Sequence, residues 1–165
     1  NKVNELVRKP EYFYAVTSLA ESAANQGHKV LVVSDRTDFL EKCHAKHIDS
    51  SVLVHGKVPQ DERDKRHKLL EKDKNILYGA ISMYKEGISI NCLSCLILAA
   101  PINNDPMLEQ LIGRILRIQD NKVQPLVVDL VLKGSTGKTQ AAMRAKHYSK
   151  KKYKVYLTEN VKIVS

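Results

Sequence analysis

Five short apolar runs, alternating with helical stretches and polar loops, limit what this chain can fold into. They are Lys29-Val30-Leu31-Val32-Val33-Ser34, Ser51-Val52-Leu53-Val54, Asn75-Ile76-Leu77-Tyr78-Gly79-Ala80-Ile81, Leu93-Ser94-Cys95-Leu96-Ile97-Leu98-Ala99-Ala100 and Leu126-Val127-Val128-Asp129-Leu130-Val131. Most are near-continuous apolar runs rich in β-branched residues. That is the pattern of strands buried on both faces. Before the first run, Phe13, Val16, Leu19, Ala20 and Ala23 recur at helical spacing over residues 10–26, and Gly27 ends them. Further helical stretches are expected over residues 38–46 and over the charge-rich residues 59–72, with Pro59 in the first turn. Strand, polar loop, then helix predicts an α/β fold whose functional groups gather at the carboxyl ends of the strands.

The most informative helix lies between the fourth and fifth runs. Asp105-Pro106 offers a cap and a first-turn proline for Glu109-Gln110-Leu111-Ile112-Gly113-Arg114-Ile115-Leu116-Arg117-Ile118. At 100° per residue, Gln110, Arg114 and Arg117 share one face with Gly113 at its edge. Leu108, Leu111, Ile112, Ile115 and Ile118 fill the other. Two arginines one turn apart repel, and guanidinium groups suit phosphate oxygens, so an anionic partner would relieve them. Gly113 costs about 1 kcal/mol against alanine inside a helix, which points to a close approach to the backbone. A surface helix with two solvated arginines is the plainer reading of the same residues.

At 165 residues the chain reads as one domain. Lys and Arg outnumber Asp and Glu by 27 to 18, a net charge of +9, which favours an anionic partner without choosing among nucleic acid, acidic protein and membrane surface. No apolar run approaches the roughly 18 residues of a membrane span, and no signal peptide is visible, so an intracellular location is expected, cytoplasmic or nuclear. The chain begins without Met and reads as part of something longer. Three cysteines argue against a disulfide framework. Cys92 and Cys95, with Cys43, His44 and His47 elsewhere, do not make the two ligand pairs of a structural zinc site, and no metal is expected.

Q-x-x-G-R-x-x-R over residues 110–117 resembles motif VI of superfamily 2 helicases, and its companions occur in order. The first run with Asp35-Arg36-Thr37 resembles motif IV. The second, ending in His55-Gly56 before a helix containing Glu62-Arg63, resembles the segment that follows it. Ser82 to Ile90, with Glu86-Gly87-Ile88-Ser89, resembles motif V. Where many relatives carry Asp, this chain has Ser89, and the form G-I-S is similar to phage helicases of the UvsW type. The resemblance implies the second of two RecA-like domains, a parallel sheet with helices on both faces, occupying residues 1–165. It also implies that the first domain, with the Walker A lysine and Walker B acids, lies outside this chain.

By that resemblance Gln110, Arg114 and Arg117 reach across a cleft to a triphosphate, Arg117 acting as arginine finger, and Glu86, Gly87 and Gly113 border the nucleotide. Arg36, His55, Gly56 and Ser82 contact the nucleic-acid backbone, without His55 serving as a base. ATP and Mg2+ would be held mainly by the first domain, none tightly by this chain, which alone should not hydrolyse ATP. The implied partners are DNA, with RNA possible, and the protein's own N-terminal RecA-like domain, not a membrane. A viral source would place the protein in host cytoplasm.

Two readings from other classes stay open. Gly134-Ser135-Thr136-Gly137-Lys138-Thr139 follows a strand as a phosphate-binding P-loop would, although that motif wants glycine where Leu132 stands. The chain could also be a noncatalytic basic module with Arg114 and Arg117 as phosphate contacts. A final helix over residues 140–152 ends in Lys150-Lys151-Lys152, which adds nonspecific phosphate affinity. Polarity, DNA against RNA, and strand separation against translocation are not legible.

Overall fold

The computed structural model describes residues 10–84, 90–99, 126–130, 154–158 and 161–164. In chain order these form α1 (Pro10–Asn25), β1 (Val30–Ser34), α2 (Thr37–Lys46), β2 (Ser51–Val54), α3 (Gln60–Leu69), β3 (Ile76–Ala80), a 3-10 turn (Ile81–Tyr84), β4 (Cys95–Leu98), β5 (Leu126–Leu130), β6 (Lys154–Thr158) and β7 (Val161–Val164). The seven strands make one sheet in the order β2-β3-β1-β4-β5-β6-β7. Each pair from β2 to β6 is parallel, and β7 returns antiparallel on β6.

All five expected strands form, β2 over the residues expected and the others within slightly shorter bounds. Alternate residues feed two apolar layers, which is why the runs show no alternation in sequence. Val30, Val32, Ile76, Tyr78, Cys95 and Ile97 pack with Phe13, Val16 and Ala20 of α1 and Phe39, Leu40 and Cys43 of α2. Leu31, Val33, Val52, Val54, Leu77, Leu96 and Leu98 pack on the opposite side with Leu70, at the end of α3, and Tyr84. Helices on both faces follow from the strand order. The step from β1 to β2 passes outward over β3, the step from β2 to β3 comes back, and right-handed crossovers in opposite directions put α2 and α3 on opposite faces.

Gly27 ends α1 as expected, at φ 95°, a left-handed conformation that glycine takes without cost. The amide of His28 donates to the carbonyl of Ala23 and that of Gly27 to Ala24, both at 3.1 Å, closing the helix with a Schellman arrangement. α3 departs from expectation. Pro59 is its cap (φ −60°, ψ 152°) rather than part of its first turn, and the helix stops at Leu69, beyond which the amides of Leu70, Glu71 and Lys72 bond three residues back to His67, Lys68 and Leu69 as a tighter turn.

Four histidines are tied to hydroxyls of other elements or loops: His28 Nδ1 to Ser94 Oγ at 2.8 Å, His44 Nδ1 to Ser51 Oγ at 2.7 Å, His47 Nδ1 to Tyr78 OH at 2.8 Å and His67 Nε2 to Tyr84 OH at 3.1 Å. Burial holds His28, His44 and His67 below the ordinary imidazole range. Near the amino ends of the strands, Lys29 Nζ donates to the Lys74 carbonyl and to Asn75 Oδ1, both at 2.9 Å, and Lys74 Nζ to the Asp49 carbonyl at 2.6 Å. That edge of the sheet is closed on itself by hydrogen bonds.

β6 and β7 extend the sheet beyond the five strands expected, forming a hairpin from the last residues of the chain. The helix expected over residues 140–152 lies outside the described residues, as does the helix carrying Gln110, Gly113, Arg114 and Arg117.

Candidate nucleic-acid interface

The carboxyl ends of β2, β3 and β1 lie side by side in that order, with Val54 level with Gly79 and Ser34 level with Ala80. Gly56, Ser82 and Arg36 each stand two residues beyond Val54, Ala80 and Ser34. At a strand spacing of about 4.8 Å the three loops occupy about 10 Å of one sheet edge. The fold therefore gathers the strand-contact candidates Arg36, His55, Gly56 and Ser82, which come from three separate stretches of sequence.

Arg36 caps α2 with extended backbone (φ −107°, ψ 99°) and no side-chain cap bond, while its amide donates to Ser34 Oγ at 3.1 Å. Its Nε lies 4.0 Å from Asp35 Oδ1, too far for a hydrogen bond, and although buried has no hydrogen-bond partner among the described residues. A buried guanidinium N–H left unbonded costs about 1–3 kcal/mol. An external phosphate oxygen near the uncapped first turn of α2 would satisfy both.

His55 is built into its turn. Its Nδ1 accepts from the Lys57 amide at 3.2 Å and its carbonyl from the Val58 amide at 3.0 Å. That engagement suits a residue shaping the loop. Gly56 is exposed, and a Cβ there would stand 3.8 Å from Met83 Cε, an ordinary contact. Internal packing thus does not require glycine at this position, whereas close approach of an outside group to the backbone would. Ser82 is exposed on the 3-10 turn after β3, its neighbour Met83 packing inward against both apolar layers.

Sequence reasoning missed what fastens this edge. Arg63 of α3 donates from Nε to the Val58 carbonyl at 2.7 Å, holding the turn after β2, and Arg66 bonds the Leu53 carbonyl at 2.5 Å. Tyr84 anchors the other turn by lying across Gly79. The available signal was Gly79 itself, since a glycine inside an apolar strand marks a close approach. Cys43 and Cys95 sit in the layer beneath α1 and α2, their thiols pushed up to about 12 by burial, while Cys92 packs against the opposite layer. Among the described residues no three groups converge to hold a metal.

Glu86, Gly87, Gln110, Gly113, Arg114 and Arg117 lie outside the described residues, as does the loop Gly134 to Thr139. Residues 9–119 match the family model of the helicase conserved C-terminal domain. The chain belongs to that family. As a helicase C-terminal domain it is similar to a protein of Escherichia phage T5 named as a probable helicase, at 39% identity over 151 residues covering 89% of this chain and 34% of the relative. A protein of Acanthamoeba polyphaga mimivirus named as an ATP-dependent RNA helicase is 28% identical over 150 residues, 87% of this chain and 28% of the relative. The chain thus spans about a third of the length of these relatives.

The helicase C-terminal fold is also that of T4 UvsW, with a TM-score of 0.72 at 19% identity, covering 94% of this chain and 36% of that one. The C-terminal part of the Fun30 ATPase domain matches with a TM-score of 0.66 at 18% identity, covering 81% and 47%. The RecA-like sheet with helices on both faces is therefore the family's own architecture. No helix among the described residues is long and apolar enough to cross a membrane.

Proposed function

We propose that this chain is the second motor domain of an ATP-dependent nucleic-acid translocase or helicase, gripping the strand backbone along the β2-β3-β1 edge. The contrast between the two ends of the sheet carries the reading. The amino end near β1 and β3 is tied by internal hydrogen bonds from Lys29 and Lys74, while the carboxyl end presents the Nε of Arg36, which has no partner among the described residues, the bare backbone of Gly56 and the exposed Ser82. Contacts of these kinds reach phosphate and sugar rather than base edges, which gives affinity with little sequence preference.

ATP is the substrate of this motor and Mg2+ its metal, both held mainly by a first RecA-like domain carrying Walker motifs. Glu86, Gly87 and Gly113 border the nucleotide, and Gln110, Arg114 and Arg117 face it from this domain. Arg114 and Arg117 neutralise charge developing at the γ-phosphate, a role forked and permanently charged guanidinium groups fit. Relatives named as a helicase without a stated strand and as an RNA helicase leave both nucleic acids within the proposal.

The strand grip is tested by measuring binding of a fluorescent single-stranded oligonucleotide across a salt series. Arg36→Ala in the full-length protein weakens binding about equally for unrelated sequences and reduces the salt slope by about 0.7, the share of one phosphate contact on a single strand. An unchanged slope removes Arg36 from the interface.

A further inference from the structure

A buried pair on the α3 side of the sheet determines where the Ser82 turn sits. Tyr84 ends that turn, 3% exposed, and its hydroxyl lies 3.1 Å from Nε2 of His67, itself 9% exposed on α3. The rings are tilted by 52° with centroids 5.9 Å apart. Beneath the phenol is the backbone of Gly79, where a Cβ would come within 2.5 Å of Tyr84 Cε2 and 2.8 Å of its hydroxyl. Strand β3, the turn and α3 therefore meet at one phenol. Burial pushes the Tyr84 hydroxyl well above its usual range and holds His67 below its own, Asp64 and Arg63 opposing each other at the imidazole, so the bond joins two neutral groups.

The chain places Tyr84 between residues of different assignment. Ser82 stands two positions before it, Glu86 two after it, and Met83 lies on the Gly56 side, 3.8 Å from where a Cβ on Gly56 would stand. We propose that His67 and Tyr84 are positioning residues for the strand-contacting edge, fixing the Ser82 turn relative to α3. This rests on the reading of that edge as the nucleic-acid interface. Arg63 fixes the turn after β2 to the same helix, so α3 acts as the common mount for both loops. Loosening the phenol weakens contacts to the strand and removes no group assigned to the nucleotide.

The test uses the full-length protein and titrates ATP turnover with a single-stranded oligothymidylate. Tyr84→Phe keeps the ring on Gly79 and removes only the hydroxyl. The strand concentration giving half-maximal stimulation rises about fivefold, as expected for one hydrogen bond, with turnover at saturating strand within about twofold of wild type. His67→Leu, which removes the other partner, does the same, while His67→Gln, which keeps a polar group at similar reach, recovers most of the affinity. A half-saturating concentration unchanged in both Tyr84→Phe and His67→Leu overturns the proposal, whatever their melting midpoints. If the wild-type protein shows no strand-dependent turnover, the interface reading itself fails.

Discussion

Arg117→Ala in the full-length protein is expected to lower nucleic-acid-stimulated ATP turnover by about 10³- to 10⁵-fold while strand binding stays nearly intact. That range is what an arginine finger contributes when it meets charge developing on a transferring phosphoryl group, roughly 4–7 kcal/mol of the barrier. The expectation starts from the sequence over residues 109–118, in which Gln110, Arg114 and Arg117 have the helicase motif VI spacing. Arg117→Lys keeps the charge but loses the forked geometry, and most of the deficit persists if geometry matters as much as charge. Steady-state turnover at saturating strand, beside oligonucleotide binding without nucleotide, separates the two roles. Turnover within tenfold of wild type, on the order of 1.4 kcal/mol, removes Arg117 from the reaction.

Gly79→Ala is expected to destabilise the fold by about 1–3 kcal/mol, although alanine ordinarily improves on glycine in a strand interior. The reason is steric. The added Cβ would stand 2.5 to 3.0 Å from three atoms of the Tyr84 ring, which is buried and held through its hydroxyl by His67. Gly79 has no positive φ, so the cost is one of space rather than of backbone conformation. This makes a sign reversal available. In a Tyr84→Ala background the ring is gone, and Gly79→Ala becomes neutral or stabilising by up to about 1 kcal/mol. Urea unfolding of the four proteins in the cycle reads the coupling directly. An equal loss in both backgrounds means that Tyr84 is not what excludes a side chain at this position.

The legible part of the fold was the part that local sequence dictates. Five strands could be read because burial on both faces leaves runs such as Val30 to Val33 and Leu96 to Leu98 without interruption. The stop at Gly27 was readable because glycine takes φ 95° without cost. What was not legible depends on partners far apart in the chain. His28 meets Ser94 across 66 residues and His67 meets Tyr84 across 17, and nothing around any of these histidines names its hydroxyl. α3 gives way after Leu69 to a tighter turn of three-residue hydrogen bonds, a change that helical periodicity does not record. The hairpin of β6 and β7 lay behind the lysine run at residues 150–152, which drew the reading toward a basic tail.

The candidate site divides in the same way. Motif spacing selected Arg36, His55, Gly56 and Ser82 from separate loops, and the register of β2, β3 and β1 places those loops together at one edge. Sequence could not show that His55 is engaged by its own turn, or that Arg36 keeps a buried N–H without a partner among the described residues. It also gave no sign that α3 holds both neighbouring turns through Arg63 and His67. Those are properties of packing, and they decide how firmly the edge is presented.

The most direct test of the central claim is ATP turnover by the full-length protein with and without single- and double-stranded DNA and RNA, beside the 165-residue chain alone. The second-motor-domain reading predicts turnover stimulated by nucleic acid in the full-length protein and none from the chain by itself, with the best stimulating strand identifying the substrate. ATP hydrolysis by the isolated chain would contradict it and return attention to Gly134, Lys138 and Thr139 as a nucleotide site.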